Sequence, residues 1–340
     1  MTNHQWYKQA KYGMMVHWGL YSILGGEWKG QRTPYYAEWI QSYFGIKNQE
    51  YSKLASIFNP IYFDAEELVL FAKNCGMNYI VVTSKHHDGF ALYHSKADAY
   101  NMVDATPFKR DIIAELAEAC YKHGMKLGLY YSQEIDWNDP DGGGYDKTTG
   151  MAGLGWTNIW DFPDNTVKDF SKCFRNKIKP QVEEILTKYG ELCLIWFDTP
   201  GVITKPQCLE LHDMVKKYQP NCLINSRIGN GTYDYVSLGD NEIPDKIPDN
   251  LAEIEKTADL NDISGFKYSP YGLYETAATL NHSWGYKYFD HAWKPAETVL
   301  ANKNHLNAMG INYLINVGPD GLGRIPSMSQ DILLEVAKSL

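Results

Sequence analysis

No Cys-x-x-Cys pair occurs in these 340 residues, and no glycine-rich phosphate loop follows the first apolar run. Nor does any stretch approach the roughly 20 apolar residues of a membrane span. The first absence removes the common zinc-ribbon and dithiol signatures, the second the dinucleotide-binding fingerprint. Basic patches are missing as well, and a formal net charge of −9 argues against a nucleic-acid partner. Internal repeats and low-complexity tracts are absent too. The opening Met1–Tyr7 has no basic segment leading into an apolar one, so no signal peptide is expected in this chain. The six cysteines (Cys75, Cys120, Cys173, Cys193, Cys208, Cys222) fall inside expected helices and strands and read as reduced core residues. That usage favours a cytoplasmic location; a periplasmic or secreted one would require a signal already removed.

What the chain has in quantity is short apolar runs that end in polar residues. The sharpest is Cys193-Leu194-Ile195-Trp196-Phe197-Asp198, five apolar positions delivering one carboxylate before Thr199-Pro200-Gly201 breaks the chain. Similar runs are Met14–His17, Tyr79–Val82 leading to His86-His87, Leu127–Tyr131, Leu223–Arg227, Tyr235–Leu238 before Asp240 and Glu242, Leu273–Thr276, and Ile311–Asn316. Between them lie helical patterns at Asp64–Cys75, Asp111–His123, Asn165–Tyr189, Lys205–Tyr218, Ala296–Met309 and Ser329–Leu340. The first two carry acids early and a glycine as the stop. Runs this apolar, alternating with helices, indicate a parallel sheet covered on both faces. Eight of them predict a (β/α)8 TIM-like barrel with its active site at the strand C-termini, read as one domain over 1–340. A doubly wound open sheet is the competing layout. Two stretches, 138–164 and 245–271, read as loops over the barrel mouth.

The polar residues delivered by these runs suggest a carbohydrate site. His17, His86, His87, Tyr131, Asp198 and Arg227 crowd one end, with Trp39, Trp196 and Trp284 nearby in sequence. Twenty-five tyrosines and ten tryptophans supply flat amphipathic surfaces of the kind that pack on a sugar ring. His86-His87 could instead begin a metal site, which gives a metal-dependent barrel hydrolase as an alternative; adjacent strand residues point to opposite faces, which weighs against it. Asp198 could be only a helix N-cap, although Thr199-Pro200-Gly201 reads as a turn. As a catalytic group it needs a second carboxyl, for which Glu275 and Glu242 are the candidates.

Seven segments in order resemble the family 29 α-L-fucosidases. They are Lys11–Gly19, Ala37-Glu38-Trp39, Lys85–Phe90, Tyr130-Tyr131-Ser132, Trp196-Phe197-Asp198, Thr279–Tyr286 and Asn312–Pro319. The resemblance implies a catalytic domain that acts as a retaining exo-hydrolase of fucosylated oligosaccharides or glycoconjugates without cofactor or metal. Members of the family often carry a C-terminal β-sandwich, which is not expected in this chain, and the lack of an apolar span speaks against a membrane partner. It implies Asp198 as nucleophile, and His17, Glu38, Trp39, His86 and His87 around the sugar hydroxyls. It also implies Tyr131 near the reacting carbon, Arg227 beside the carboxylates and Trp284 against the C5 methyl. Glu275, in Tyr274-Glu275-Thr276, resembles the segment that supplies the acid in some members, and Glu242 fits the spacing in others. Tyr274 departs from the tryptophan found there in the pattern. A fucose-binding barrel without turnover would keep the same aromatic and histidine lining.

Overall fold

A computed structural model describes residues 2–145, 155–250 and 265–340, so the two expected mouth loops at 138–164 and 245–271 lie partly outside the described residues. All eight expected strands form: β1 (Tyr12–Val16), β4 (Tyr79–Lys85), β5 (Lys126–Ser132), β6 (Leu194–Asp198), β7 (Leu223–Ile224), β8 (Val236–Ser237), β9 (Tyr274–Thr279) and β10 (Ile311–Val317). A small antiparallel hairpin, β2 (Glu27–Trp28) with β3 (Gln31–Arg32), branches off after β1. The eight strands pair in parallel in the order β7-β6-β5-β4-β1-β10-β9-β8. A parallel bridge between Asn225 and Tyr235 joins the two ends, and the sheet curls into a TIM-like barrel.

Alternation along each strand divides the core in two. Met15, Tyr79, Val81, Tyr130, Leu194, Trp196, Leu223, Tyr235, Ala277 and Leu314 pack together inside the barrel. Their neighbours Met14, Val16, Ile80, Val82, Leu129, Tyr131, Ile195, Phe197, Val236 and Ile315 face the helix layer. Each fully buried side chain of this kind contributes about 1.5–3 kcal/mol. The interior layer is rich in rings, and small residues make room for them. A Cβ at Gly13 would stand 2.5 Å from the Tyr79 ring.

Besides short unmarked helices at Tyr21–Leu24, Ile40–Phe44 and Asn48–Tyr51, two helical features depart from expectation. Asn3–Ala10, which the sequence pattern did not mark, forms a helix with a capping box from Thr2 and Gln5 and brings Tyr7 into the barrel interior. The pattern at Asn165–Tyr189 is not one helix. A 3-10 turn covers Asn165–Val167, and the helix proper starts after the Asp169 cap. It then passes through a π-helical turn at Phe174–Ile178 before Lys179–Lys188. That turn carries the buried Lys177, whose ammonium lies 2.7 Å from Asp98 and 2.9 Å from Asp136. Asp136 also receives Lys85 at 2.9 Å, directly before the histidine pair.

Candidate active site

A cavity of about 520 Å³ opens at the C-terminal ends of the strands. Its wall comes from nearly every part of the barrel: Met15 and His17 at the end of β1, His86 and His87 after β4, Tyr130 on β5, Trp196 and Asp198 on β6. Arg227 follows β7, Asp240 follows β8, Trp284 follows β9, and Glu38 and Trp39 arrive on the 3-10 turn Ala37–Trp39. The nominated His17, Glu38, Trp39, His86, His87, Trp196, Asp198, Arg227 and Trp284 are all part of this lining.

Asp198 is the last residue of β6. Its Oδ2 accepts the Tyr130 hydroxyl at 2.8 Å and its Oδ1 accepts Arg227 Nη1 at 3.1 Å. Arg227 turns its other amino group to Asp240 Oδ1 at 2.5 Å and to the Leu238 carbonyl at 3.0 Å. One buried guanidinium thus holds two carboxylates at the cavity wall, and their charges keep Arg227 firmly protonated despite its burial. Its Cζ also lies 4.6 Å from the centroid of the Trp196 ring. The turn that presents Asp240 is pinned from behind. Asn241 Oδ1 accepts Lys294 Nζ at 2.8 Å and the Thr279 amide at 3.0 Å.

The adjoining wall is built of neutral donors and acceptors, with His87 Nε2 4.0 Å from Asp198 Oδ2 and the His86 ring stacked on Tyr130. Burial pushes His17 down to about 4 and holds His86 and His87 well below the usual imidazole range. His17 Nδ1 pairs with Asn316 Oδ1 at 2.7 Å, and His87 Nδ1 with Ser132 Oγ at 2.8 Å. Burial likewise raises the Glu38 carboxyl to about 7, partly offset by the Gly285 amide on its Oε2 at 2.8 Å. Among the described residues, Glu38 Oε1 and His86 Nδ1 are buried polar atoms with no protein partner. Buried polar atoms ordinarily have partners, so these two are poised for a ligand's hydroxyl groups. Among the described residues no group of three or more His, Cys, Asp or Glu side chains is arranged to hold a metal ion.

Three expected residues sit elsewhere. Glu275 does not line the cavity: it is the second residue of β9, deep toward the floor, fully buried and bonded to Tyr7, Tyr79 and Trp196. The cause is strand length, since β9 runs on to Thr279, three residues past the end expected at Thr276. Glu242 folds back on its own turn, its Oε2 accepting the Gly239 amide at 2.7 Å and the Gly265 amide at 3.0 Å. Tyr131 faces the helix layer and donates to Gln181 Oε1 at 2.8 Å, while its neighbour Tyr130 faces the cavity. A shift of one residue along a strand exchanges faces.

Residues that the sequence pattern did not single out include Tyr130, Asp240, Tyr36, Trp156 and Thr199, all in the lining. Asp240 carried the same signal as Asp198, a carboxylate just past an apolar run. Thr199 shows another: φ is 56° at this β-branched residue, a strained backbone directly after Asp198.

The sequence matches the alpha-L-fucosidase family over residues 1–340. Alpha-L-fucosidase AlfC from Lactobacillus casei, solved with its alpha-L-fucose product, is 56% identical, with a TM-score of 0.91 over 99% of this chain and 97% of that one. A mutant of AlfC in complex with Fuca(1,6)GlcNAc is 54% identical, with a TM-score of 0.89 over 99% of this chain and 98% of that one. Among curated relatives, the alpha-L-fucosidase of Dictyostelium discoideum is 27% identical over 360 residues, covering 98% of this chain and 69% of its own length. The tissue alpha-L-fucosidase of Bos taurus is 25% identical over 356 residues, covering 98% of this chain and 66% of its own length. The chain therefore spans about two thirds of the length of these curated relatives.

Proposed function

The chain belongs to the alpha-L-fucosidase family, and on that premise we propose that it removes terminal α-linked L-fucose from glycans as a retaining exo-hydrolase. One observation carries the mechanism: Arg227 holds Asp198 and Asp240 side by side on the cavity wall. Retaining glycosidases place two carboxyl groups about 5–5.5 Å apart. A pair bridged by one guanidinium suits that scale, whereas Glu275 has both oxygens committed outside the cavity and Glu242 turns its Oε2 to backbone amides. Asp198 attacks the anomeric carbon and forms the covalent glycosyl-enzyme. Asp240, protonated when substrate is bound, hands that proton to the departing oxygen; as a carboxylate it then takes one from the water that attacks the glycosyl-enzyme and frees Asp198.

The rest of the lining fits a 6-deoxy sugar. His17, His86, His87 and Glu38 offer hydrogen-bonding groups to ring hydroxyls, and the Trp284 ring offers an apolar wall for a methyl group. Tyr36, Trp39 and Trp156 add aromatic surface to the same lining, of the kind that packs on the second sugar of a substrate. Since AlfC was solved with Fuca(1,6)GlcNAc, fucose α1,6-linked to N-acetylglucosamine is the disaccharide we assign here.

The test is turnover of 4-nitrophenyl α-L-fucoside followed by a panel of fucosyl disaccharides. Release of fucose with net retention, fastest from the α1,6-linked member, supports the reading. Binding of fucose without turnover would instead make the barrel a sugar-binding protein. Loss of activity with a chelator would return the metal-dependent alternative.

A further inference from the structure

Below the cavity lies a second buried carboxylate with its own retinue. Glu275 Oε2 accepts the hydroxyls of Tyr7 and Tyr79, each at 2.8 Å, and Oε1 accepts the indole N–H of Trp196 at 2.9 Å. The residue has no exposed surface. Burial raises its proton affinity, while the three donors and the charge of Arg227 pull the other way. A carboxylate inside a barrel is a costly way to fill space, and a well-packed apolar side chain of similar volume commonly serves stability as well or better. What the carboxylate provides that an apolar group cannot is a fixed acceptor for the Trp196 N–H.

Trp196 matters because of what rests on its ring. Tyr130 stacks on it, with centroids 5.5 Å apart and planes 19° from parallel. The guanidinium of Arg227 lies over it at 4.6 Å. These two residues are the donors to the two oxygens of Asp198, at 2.8 Å from Tyr130 and 3.1 Å from Arg227. The indole tilt therefore sets both donors at once, and the bond at its edge sets the tilt.

We propose that Glu275 is a positioning residue, which fixes the Trp196 indole and through it the two side chains that orient the Asp198 carboxylate. The proposal rests on Asp198 being the nucleophile. Glu275 itself touches neither the cavity nor the substrate.

The test compares Glu275→Ala, Glu275→Gln and Trp196→Phe, each assayed on 4-nitrophenyl α-L-fucoside and on an unactivated fucosyl disaccharide, with and without azide. A misplacement of reacting groups by about 1 Å can cost on the order of 100-fold. Glu275→Ala is expected to lower kcat by about 10–100-fold on both substrates alike, with KM little changed and no rescue by azide. Glu275→Gln should recover part of that loss, because its amide oxygen can still accept the indole N–H and tyrosine hydroxyls can accept as well as donate. Trp196→Phe keeps an aromatic ring but loses the pyrrole half of the indole together with its N–H; it should fall with Glu275→Ala, and it decides between the outcomes if the alanine variant does not fold. The indole N–H resonance of Trp196 should move in Glu275→Ala and stay near its place in Glu275→Gln. Wild-type kcat in both Glu275→Ala and Trp196→Phe would overturn the proposal. So would azide rescue of Glu275→Ala with a loss confined to the poor leaving group, which would make Glu275 the acid. If the wild type itself fails to cleave the aryl fucoside, the functional reading fails instead, and the two failures are distinguishable.

Discussion

The floor and the mouth of this barrel each hold a carboxylate among tyrosine and tryptophan rings, and Trp196 bonds the first while carrying on its ring the two donors to the second. At the floor, Glu275 has three donors on two oxygens and no exposed surface. At the mouth, Asp198 has two donors within hydrogen-bond distance, and its side chain keeps 12% of its surface accessible on the cavity side. Position along the strand creates the difference. Asp198 is the last residue of β6, whereas Glu275 is the second of β9. An acid that ends a strand is delivered to the open end of the barrel, and an acid that starts one is sealed beneath the side-chain layers above it. A carboxylate open to a cavity and one sealed from it can thus share the same kind of aromatic surroundings.

The largest expected effect lies at the mouth. Asp198→Ala should reduce kcat by about 10⁴-fold or more while the melting temperature moves only a few degrees. Steady-state kinetics beside thermal denaturation checks this, and comparable activity in the variant would erase the contrast between the two carboxylates. Asp240→Ala should cost about 10²–10⁴-fold on unactivated substrates. Glu242→Ala, with its carboxylate turned to backbone amides, should keep near wild-type kcat. Reversal of that order would return the acid to Glu242.

A third expectation concerns Glu38. Burial raises its carboxyl to about 7 in the folded chain, against about 4.3 for an unperturbed glutamate. Between those values the folded state holds a proton that the unfolded state has lost. Stability is therefore fully present below about pH 4.3, declines as pH rises and levels off above about 7, a change on the order of 3 kcal/mol. Denaturation at pH 5 and pH 8 should show that Glu38→Gln removes most of this difference; an unaltered difference would place the slope elsewhere. The smallest effect separates neighbours. Tyr130→Phe removes a donor from Asp198 and should lower kcat/KM by about tenfold, the equivalent of about 1.4 kcal/mol. Tyr131→Phe loses only the Gln181 bond, so it should leave kcat/KM in place and cost about 1 kcal/mol of stability.

Eight strands were legible because each is a run of apolar residues bounded by turn signals, and both of their faces are covered. The ends of those runs were harder to read. Ala277 and Ala278 carry too little hydrophobic weight to mark the continuation of β9, so nothing in the run shows that Glu275, a candidate by resemblance, lies deep in the strand. Face was also beyond reach for Tyr130 and Tyr131, since a strand buried on both sides shows no alternation of polarity to reveal which side chain points inward. Asp240 is visible by the rule that singles out Asp198, yet the resemblance points past it to Glu275, with Glu242 as the alternate. The helix Asn3–Ala10 has a capping box but only eight residues, too short for its apolar periodicity to stand out. Trp156 and Tyr36 reach the cavity from loops, where no periodicity indicates direction.

Which carboxylate partners Asp198 is the central question, and azide rescue on 4-nitrophenyl α-L-fucoside decides it most directly. Alanine variants of Asp240, Glu242 and Glu275 are assayed side by side and their products identified. Fucosyl azide of retained configuration is expected from Asp240→Ala alone; the same product from Glu275→Ala or Glu242→Ala, with none from Asp240→Ala, would overturn the pairing of Asp198 with Asp240.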